Sequence, residues 1–407
     1  MNSEWQTIPL GEIMTLQRGF DLPQSKRVKG PFPVIASTGQ VGLHAEAKVR
    51  GPGVVIGRSG SIGGGQYIKG DFWPLNTTLW IKDFKGNDRR FCYYLLKSLD
   101  LARFNAGSGV PTLNRNHIHP LPVLYPPLPE QRAIAHILGA LDDKIDQNRH
   151  TAQGLEQLAR AVYRAWFVDF EPVKAKAAGA GSFPSMPQHV FDALPTNFVD
   201  SEIGPMPEGW DVENIGDVVT VKGGSTPSTK EPDYWDGGEH RWATPKDLSR
   251  LSHPVLLDTE RHITNAGVDQ ISSGLLPVGT VLMSSRAPIG YLAISRVPTA
   301  INQGFIAMIC DGPLPPAFIL DWARSSMETI RARAGGTTFP EISKKNFRPI
   351  PIIKPPDEVV AAYGKAVDPL FDLLTACVNE NDCLAETRDY ILPQLLGGQI
   401  RVEAVDG

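Results

Sequence analysis

Cysteine is scarce in this 407-residue chain: the four present, Cys92, Cys310, Cys377 and Cys383, form no C-x-x-C pair. That excludes a small disulfide-built scaffold and predicts reduced thiols in a cytoplasmic protein. Long apolar runs are missing as well. No stretch nears the ~18 residues a membrane span needs, and the N-terminus, MNSEWQTIPL, has no signal-peptide core. The nucleotide cradles G-x-x-x-x-G-K-[ST] and G-x-G-x-x-G are absent, so no nucleotide cofactor is expected on this chain. The two Pro-Pro pairs stand in Tyr-Pro-Pro-Leu and Lys-Pro-Pro-Asp, without the Asn or Asp that an adenine methyltransferase box requires. Pro232-Asp233 followed by Glu239-His240-Arg241 is a loose match to a nuclease carboxylate pair, with arginine where lysine is expected, and reads as an acidic loop. His117 and His119 would share one face of a strand but lack a third ligand, so no metal site is expected.

Net charge is also small, −4 overall, yet it is unevenly spread. Residues 1–128 carry 15 Lys and Arg against 8 Asp and Glu, whereas 357–407 carry 3 against 10. The first segment suits a polyanion and the last would be repelled by one.

What the chain does have is a repeat. Trp5 and Trp210 open similar runs, WQTIPLGEIMTLQRG and WDVENIGDVVTVKGG. VVIGRSGSIG (Val54–Gly63) matches VLMSSRAPIG (Val281–Gly290), and Asn76 falls over Asn302. AGSGVPTLNRNHIHPLPVLYPP (Ala106–Pro127) lies over AGGTTFPEISKKNFRPIPIIKPP (Ala334–Pro356). After each double proline the pattern turns helical, because proline is tolerated in a helix's first turn and excluded from its interior. Ile134, Leu138, Leu141, Ile145, Leu155 and Val162 fall on an alternating four-three seam. Val367, Leu370, Leu374, Leu384 and Ile391 repeat it in the second half. Such seams must pair. Pro369 inside the second seam predicts a kink or break, with 357–367 as a separate turn. KAKAAGAGSFPSMPQ (Lys174–Gln188) is poor in residues to bury and reads as a linker.

The predicted fold is α+β: two pseudo-symmetric globular units, each followed by a long helix, the helices pairing as an antiparallel coiled coil. The expected boundaries are 1–127, a helix over 128–172, a linker over 173–207, a second unit over 208–356, and a closing helical segment over 357–407. Small-residue turns with an arginine, Arg58-Ser59 and Ser285-Arg286, let backbone approach phosphate while arginine can fork onto guanine. They are equally plain hairpin corners. The Asn76-Thr77 and Asn302-Gln303 amides can bond adenine or satisfy a local turn.

Several blocks together resemble the specificity subunit of type I restriction-modification systems. They are PPLPEQRAIAHILGALDDKID (Pro126–Asp146), LARAVYRAWFVDFEPV (Leu158–Val173), LPTNFVDSEIGPMPEGW (Leu194–Trp210) and LPQLLGGQIRV (Leu392–Val402), with GGSTPSTKEPDYWDG (Gly223–Gly237) and TPKDLS (Thr244–Ser249). The resemblance implies that each unit is a target recognition domain reading half of an asymmetric double-stranded DNA site. It also implies a spacer of paired helices that docks two modification (methyltransferase) subunits, with a restriction and translocase subunit completing the complex. S-adenosylmethionine, ATP and Mg would then sit on those partners, and this chain would be noncatalytic. On this reading the candidate DNA contacts are Arg18, Arg58, Ser59, Asn76, Thr77, Ser108 and Arg115 in the first unit. In the second they are Lys222, Thr226, Lys246, Arg286, Asn302, Gln303, Thr337 and Lys344. Two other readings stay open: a related type II system serving a fused nuclease-methyltransferase, and a coiled-coil scaffold that reads no sequence.

Overall fold

Two 40-residue helices, Leu128–Phe167 and Asp357–Leu396, dominate the computed structural model, which describes residues 5–107, 109–336 and 340–402. Each begins directly after a double proline, where the missing backbone donors fall in the first turn and cost nothing. The two pair with each other, antiparallel. The chain divides into two compact units, one comprising residues up to Asp146 together with those from Asn381 onward, the other Gln147–Glu380. In the first, Ile134, Leu138 and Ile145 are buried and Leu141, Leu384 and Ile391 half-buried; in the second, Val367 and Leu374 are buried and Leu155, Val162 and Leu370 half-buried.

The first unit holds its helices by polar ties as well as by apolar packing. Gln131, fully buried, donates to Asn87 Oδ1 (2.9 Å) and to the Pro126 carbonyl (3.0 Å), and accepts from the Asp88 amide (3.1 Å). Asp88 in turn caps the helix Arg89–Ser98. From that helix, Tyr94 Oη donates to Asp142 (2.6 Å) and Arg90 to Asp143 (2.7 Å), while Arg388 donates to the other oxygen of Asp142 (2.7 Å). The hydrogen bond from Arg90 holds the Asp143 carboxyl down at about 2. Arg401 meets Glu130 through two nitrogens (2.8 and 3.0 Å), and Trp5 Nε1 donates to the same carboxylate (2.9 Å). In the second unit aromatic rings take over: Phe167 lies 4.7 Å from Phe318 and 5.1 Å from Tyr363, ring centre to ring centre, beside a buried Trp166.

Both units repeat one strand plan. The first has an antiparallel sheet ordered Thr15–Arg18, Thr78–Asp83, Gly53–Gly57, Gly63–Ile68; the second orders Thr220–Lys222, Phe305–Ile309, Val281–Ser284, Leu292–Ser295 in the same way and adds Val255–Leu256 in parallel. A smaller sheet in each has a middle strand, Phe32–Ala36 or His240–Ala243, antiparallel to one neighbour and parallel to the other. The central strands Gly53–Gly57 and Val281–Ser284 are buried throughout because both faces are covered. Val54 and Ile56 join one core while Val55 faces another; Val281 and Met283 are separated from Leu282 in the same way.

Three expectations require correction. The helix runs unbroken through Pro369, which is exposed together with Lys365, so the carbonyl that loses its donor faces water and the flanking Val367 and Phe371 stay buried. His117 lies on the short helix Arg115–Ile118, not on a strand, because Asn114 caps that turn. The stretch after the central helix is also folded: it forms helices Glu171–Ala177 and Gln188–Ala193, and Val173, Met186, Val190 and Phe191 enter the core. All four cysteines are free, and among the described residues no helix is long and apolar enough to cross a membrane.

Candidate nucleic-acid interface

The first unit brings three of its candidate residues, Arg18, Arg58 and Arg115, into one groove of about 870 Å³ at the edge of the four-stranded sheet, lined also by Gln17, Asp21, Lys82, Thr112 and Asn114 among others; Ser59, Asn76 and Thr77 are not among its lining residues. Close backbone approaches build it. A Cβ on Gly19 would lie 2.2 Å from the Leu75 carbonyl oxygen, so only glycine lets the strand end turn there. The turn after Gly53–Gly57 is strung between two segments: the Arg58 and Ser59 amides both donate to the Thr77 carbonyl (2.9 and 3.0 Å), and the Leu113 amide donates back to the Arg58 carbonyl (2.8 Å).

Within this frame the cations are aimed by backbone oxygens. Arg58 Nη1 donates to the Asn76 carbonyl (3.1 Å) and Arg115 Nη1 to that of Leu16 (3.1 Å). Arg18 reaches Asp21 at 3.5 Å, and the Asn76 amide donates to the same carboxylate. Thr77 Oγ1 accepts from the Ser37 amide (3.3 Å). Four cations thus line the groove against one carboxylate, Asp21. His119 accepts from the Leu16 amide through Nε2 (3.1 Å), and burial lowers its pKa, which keeps it a neutral structural acceptor. Among the described residues no group of three or more His, Cys, Asp or Glu is placed to hold a metal.

The second unit reproduces the frame and rearranges the side chains. A Cβ on Gly224 would come 1.8 Å from the Ile301 carbonyl oxygen, the counterpart of the Gly19 approach. Thr226 Oγ1 donates to Gln303 Oε1 (2.7 Å), which brings those two together, and the Lys344 side chain packs against Gly223, next to Lys222. Asn302 accepts from the Gly304 amide (2.8 Å), a local turn contact. Arg286 lies elsewhere, in a cavity of about 610 Å³ with Ala287, Pro288 and Arg331, and faces Glu341 at 3.6 Å. The backbone explains why: Ser285, not Arg286, repeats the contacts of Arg58, donating to the Gly304 carbonyl (2.8 Å) and accepting from the Ile342 amide (3.0 Å). Lys246 is paired with Glu260 at 2.9 Å. Ser108 and Thr337 lie outside the described residues.

Sequence reasoning missed Gln17, Lys82, Thr112 and Asn114. The repeat carried part of the signal. Asn114 and Ser343 occupy matched positions, and each caps the short helix that carries Arg115 or Lys344.

The comparisons with known proteins fit this duplicated architecture. The model of the type I restriction modification DNA specificity domain matches residues 2–157 and 207–380. The specificity subunit of the type I restriction enzyme MjaIX of Methanocaldococcus jannaschii is 37% identical over 191 residues, 46% of this chain and 44% of that relative, so the match spans under half of its length. The HindI specificity subunit of Haemophilus influenzae is 25% identical over 330 residues, 71% of each chain. In fold, the crystal structure of a type I restriction-modification S subunit from M. genitalium is similar at a TM-score of 0.62 and 15% identity, covering 97% of this chain and 96% of the other. With the family model matching both halves, this chain belongs to the DNA specificity family of type I restriction-modification systems.

Proposed function

We propose that each unit reads one half of an asymmetric, bipartite double-stranded DNA site, and that the long helices set the spacing of the halves. In this reading the helices also dock two modification subunits, and restriction and translocase subunits complete a cytoplasmic complex. The observation that supports it most is the duplication: one backbone frame occurs twice with different side chains, as reading two different half-sites requires. The groove of the first unit adds the chemistry, because arginines directed by backbone oxygens can meet both phosphates and guanine edges. Methylation would occur on partner subunits that carry S-adenosylmethionine, with the target adenine flipped out of the duplex. ATP and Mg belong to the translocase. This chain is assigned positioning and sequence reading, not catalysis.

The test exchanges residues 1–125 for the corresponding unit of a relative and maps methylated adenines in a host carrying the system. One half-site should change while the other stays. Altered bases in both halves would show that the units do not read independently. Calorimetry on the purified chain should detect no S-adenosylmethionine binding; micromolar affinity would overturn the noncatalytic assignment.

A further inference from the structure

Beside the smaller sheet of the second unit, Arg261 lies over the ring of Trp235, with Trp242 next to it. Its guanidinium carbon lies 3.6 Å from the ring centre of Trp235 and 5.4 Å from that of Trp242. The two rings meet edge to face at 5.0 Å. Both indoles donate to one loop, Trp235 Nε1 to the Ser228 carbonyl (2.9 Å) and Trp242 Nε1 to that of Ser225 (3.3 Å). That loop carries Thr226, the partner of Gln303. The stack and the candidate interface therefore share one support.

Arg261 is exposed and flanked by acids, yet those acids are engaged elsewhere. Asp258 accepts from Arg241 (3.2 Å) and meets His262 (2.9 Å). Glu260 is paired with Lys246 (2.9 Å) and Arg250 (2.7 Å). Asp247 closes the capping box of Thr244 and accepts the Glu260 amide (2.9 Å). Among the described residues no hydrogen bond or ion pair engages the Arg261 guanidinium. Stacking occupies the face of the group and leaves its N–H edge free, so its orientation is fixed before any ligand arrives. The first unit has a related arrangement: exposed Lys48 lies with Nζ 4.8 Å from the ring centre of Trp73, on a strand of its own smaller sheet.

We infer that Arg261, held by Trp235 and Trp242, is a DNA phosphate contact of the second unit; the inference rests on the DNA-reading function proposed above. A phosphodiester matches the exposed fork and its charge. Lys246, Arg250 and Arg241 are already matched by Glu260 and Asp258, which leaves Arg261 as the cation here that can meet an anion without first leaving a carboxylate. Its role is affinity, not base choice.

The test uses the full chain purified with its modification subunits and a labelled mixed-sequence duplex, titrated by anisotropy across a range of salt. Arg261→Ala should weaken binding about tenfold at low salt and lower the slope of log affinity against log salt by about one. The methylated sites should stay the same. Arg261→Lys should restore the slope but only part of the affinity, because charge returns without the fork. Arg261→Gln keeps a planar polar group while removing the charge and the forked donors, so it carries the same test should the alanine variant fold poorly. An unchanged salt slope, with the parent complex binding its site, overturns the inference alone. So does a changed base in the second half-site, which would make Arg261 a base reader. A parent complex that binds no DNA overturns the proposed function and this inference with it.

Discussion

In the first unit, Arg58 and Arg115 donate to the carbonyls of Asn76 and Leu16; in the second, Arg286 faces Glu341 and Lys246 faces Glu260. A carbonyl fixes the direction of a guanidinium without cancelling its charge, whereas a carboxylate does both. The same strand frame therefore presents a groove with four cations and one carboxylate in one copy, whereas in the other Arg286 and Lys246 are matched by carboxylates while Lys222 and Lys344 lie together at the counterpart of the groove. The long helices differ in a parallel way. Tyr94, Arg90, Asp142, Asp143 and Arg388 tie them to the first unit, while Tyr163, Trp166, Phe167, Phe318 and Tyr363 pack them into the second. Duplication has kept the backbone contacts that need glycine and proline and left surface charge and helix anchoring to diverge.

The largest effect should come from the aromatic anchor. Trp166→Ala removes a buried indole and should destabilise the second unit by about 3–5 kcal/mol. Denaturant unfolding with domain-resolved hydrogen exchange would show early opening of residues in the second unit while the first stays protected. Equal loss of protection in both would mean that the two anchors do not act separately.

Next comes the groove. Arg58→Ala together with Arg115→Ala should cut DNA affinity about 100-fold at low salt, since a charge-assisted contact contributes roughly tenfold or more each. Methylation mapping should show relaxed bases in one half-site only. Retained affinity would mean that the groove faces away from the DNA.

Acid should separate the two anchors. Asp143 is held at about 2 by its hydrogen bond from Arg90, below the ordinary carboxylate value. Its contribution is complete above the ordinary value and is lost as pH falls from about 4 toward 2. Because Asp143 is about half exposed, at 47%, solvent screening limits that loss to about 1 kcal/mol. Burial raises the pKa of Asp321 in the second unit, so there protonation favours the folded state and acid acts with the opposite sign. Hydrogen exchange at pH 3 should loosen the first unit's helix contacts before those of the second, and Asp143→Asn should remove that difference.

Much of this arrangement was legible in the sequence. The seam from Ile134 to Val162 and its copy from Val367 to Ile391 gave the helices, because their spacing permits only one buried stripe. The repeat located the strands and both double-proline starts. Proline statistics misjudged Pro369, since they are blind to which face a proline occupies and this one is exposed. Arg58 and Arg286 looked equivalent as letters in two similar turns, yet the hydrogen-bond pattern pairs Arg58 with Ser285. The match of Val54–Gly63 with Val281–Gly290 already sets Arg58 over Ser285 and Ser59 over Arg286, so the one-residue shift was legible there; what the letters do not give is the separate cavity that Arg286 enters. Lys82 and Asn114 were hidden for a related reason: a groove collects residues distant in the chain, so no single stretch carries its pattern.

The smallest effect is expected where charge is already matched. Lys246 meets Glu260, whose carboxyl the lysine's hydrogen bond holds below its ordinary range, and Arg286 meets Glu341 at 3.6 Å. To contact phosphate, either cation would have to leave a carboxylate that offers the same chemistry, so little is gained on binding. Exposed pairs of this kind also contribute little to stability. Lys246→Ala and Arg286→Ala should therefore each lower DNA affinity less than about threefold and leave the salt slope nearly unchanged, in contrast to a change of about one for each freed phosphate contact. The measurement is the same anisotropy titration, run beside the Arg58 and Arg115 variants. Removing the acids instead gives the opposite sign: Glu260→Gln frees Lys246 and Arg250, and should steepen the salt dependence and raise non-specific affinity. If Lys246→Ala weakens binding as much as the groove variants do, the second unit does not keep its cations neutralised on DNA, and the difference between the two units is confined to the free protein.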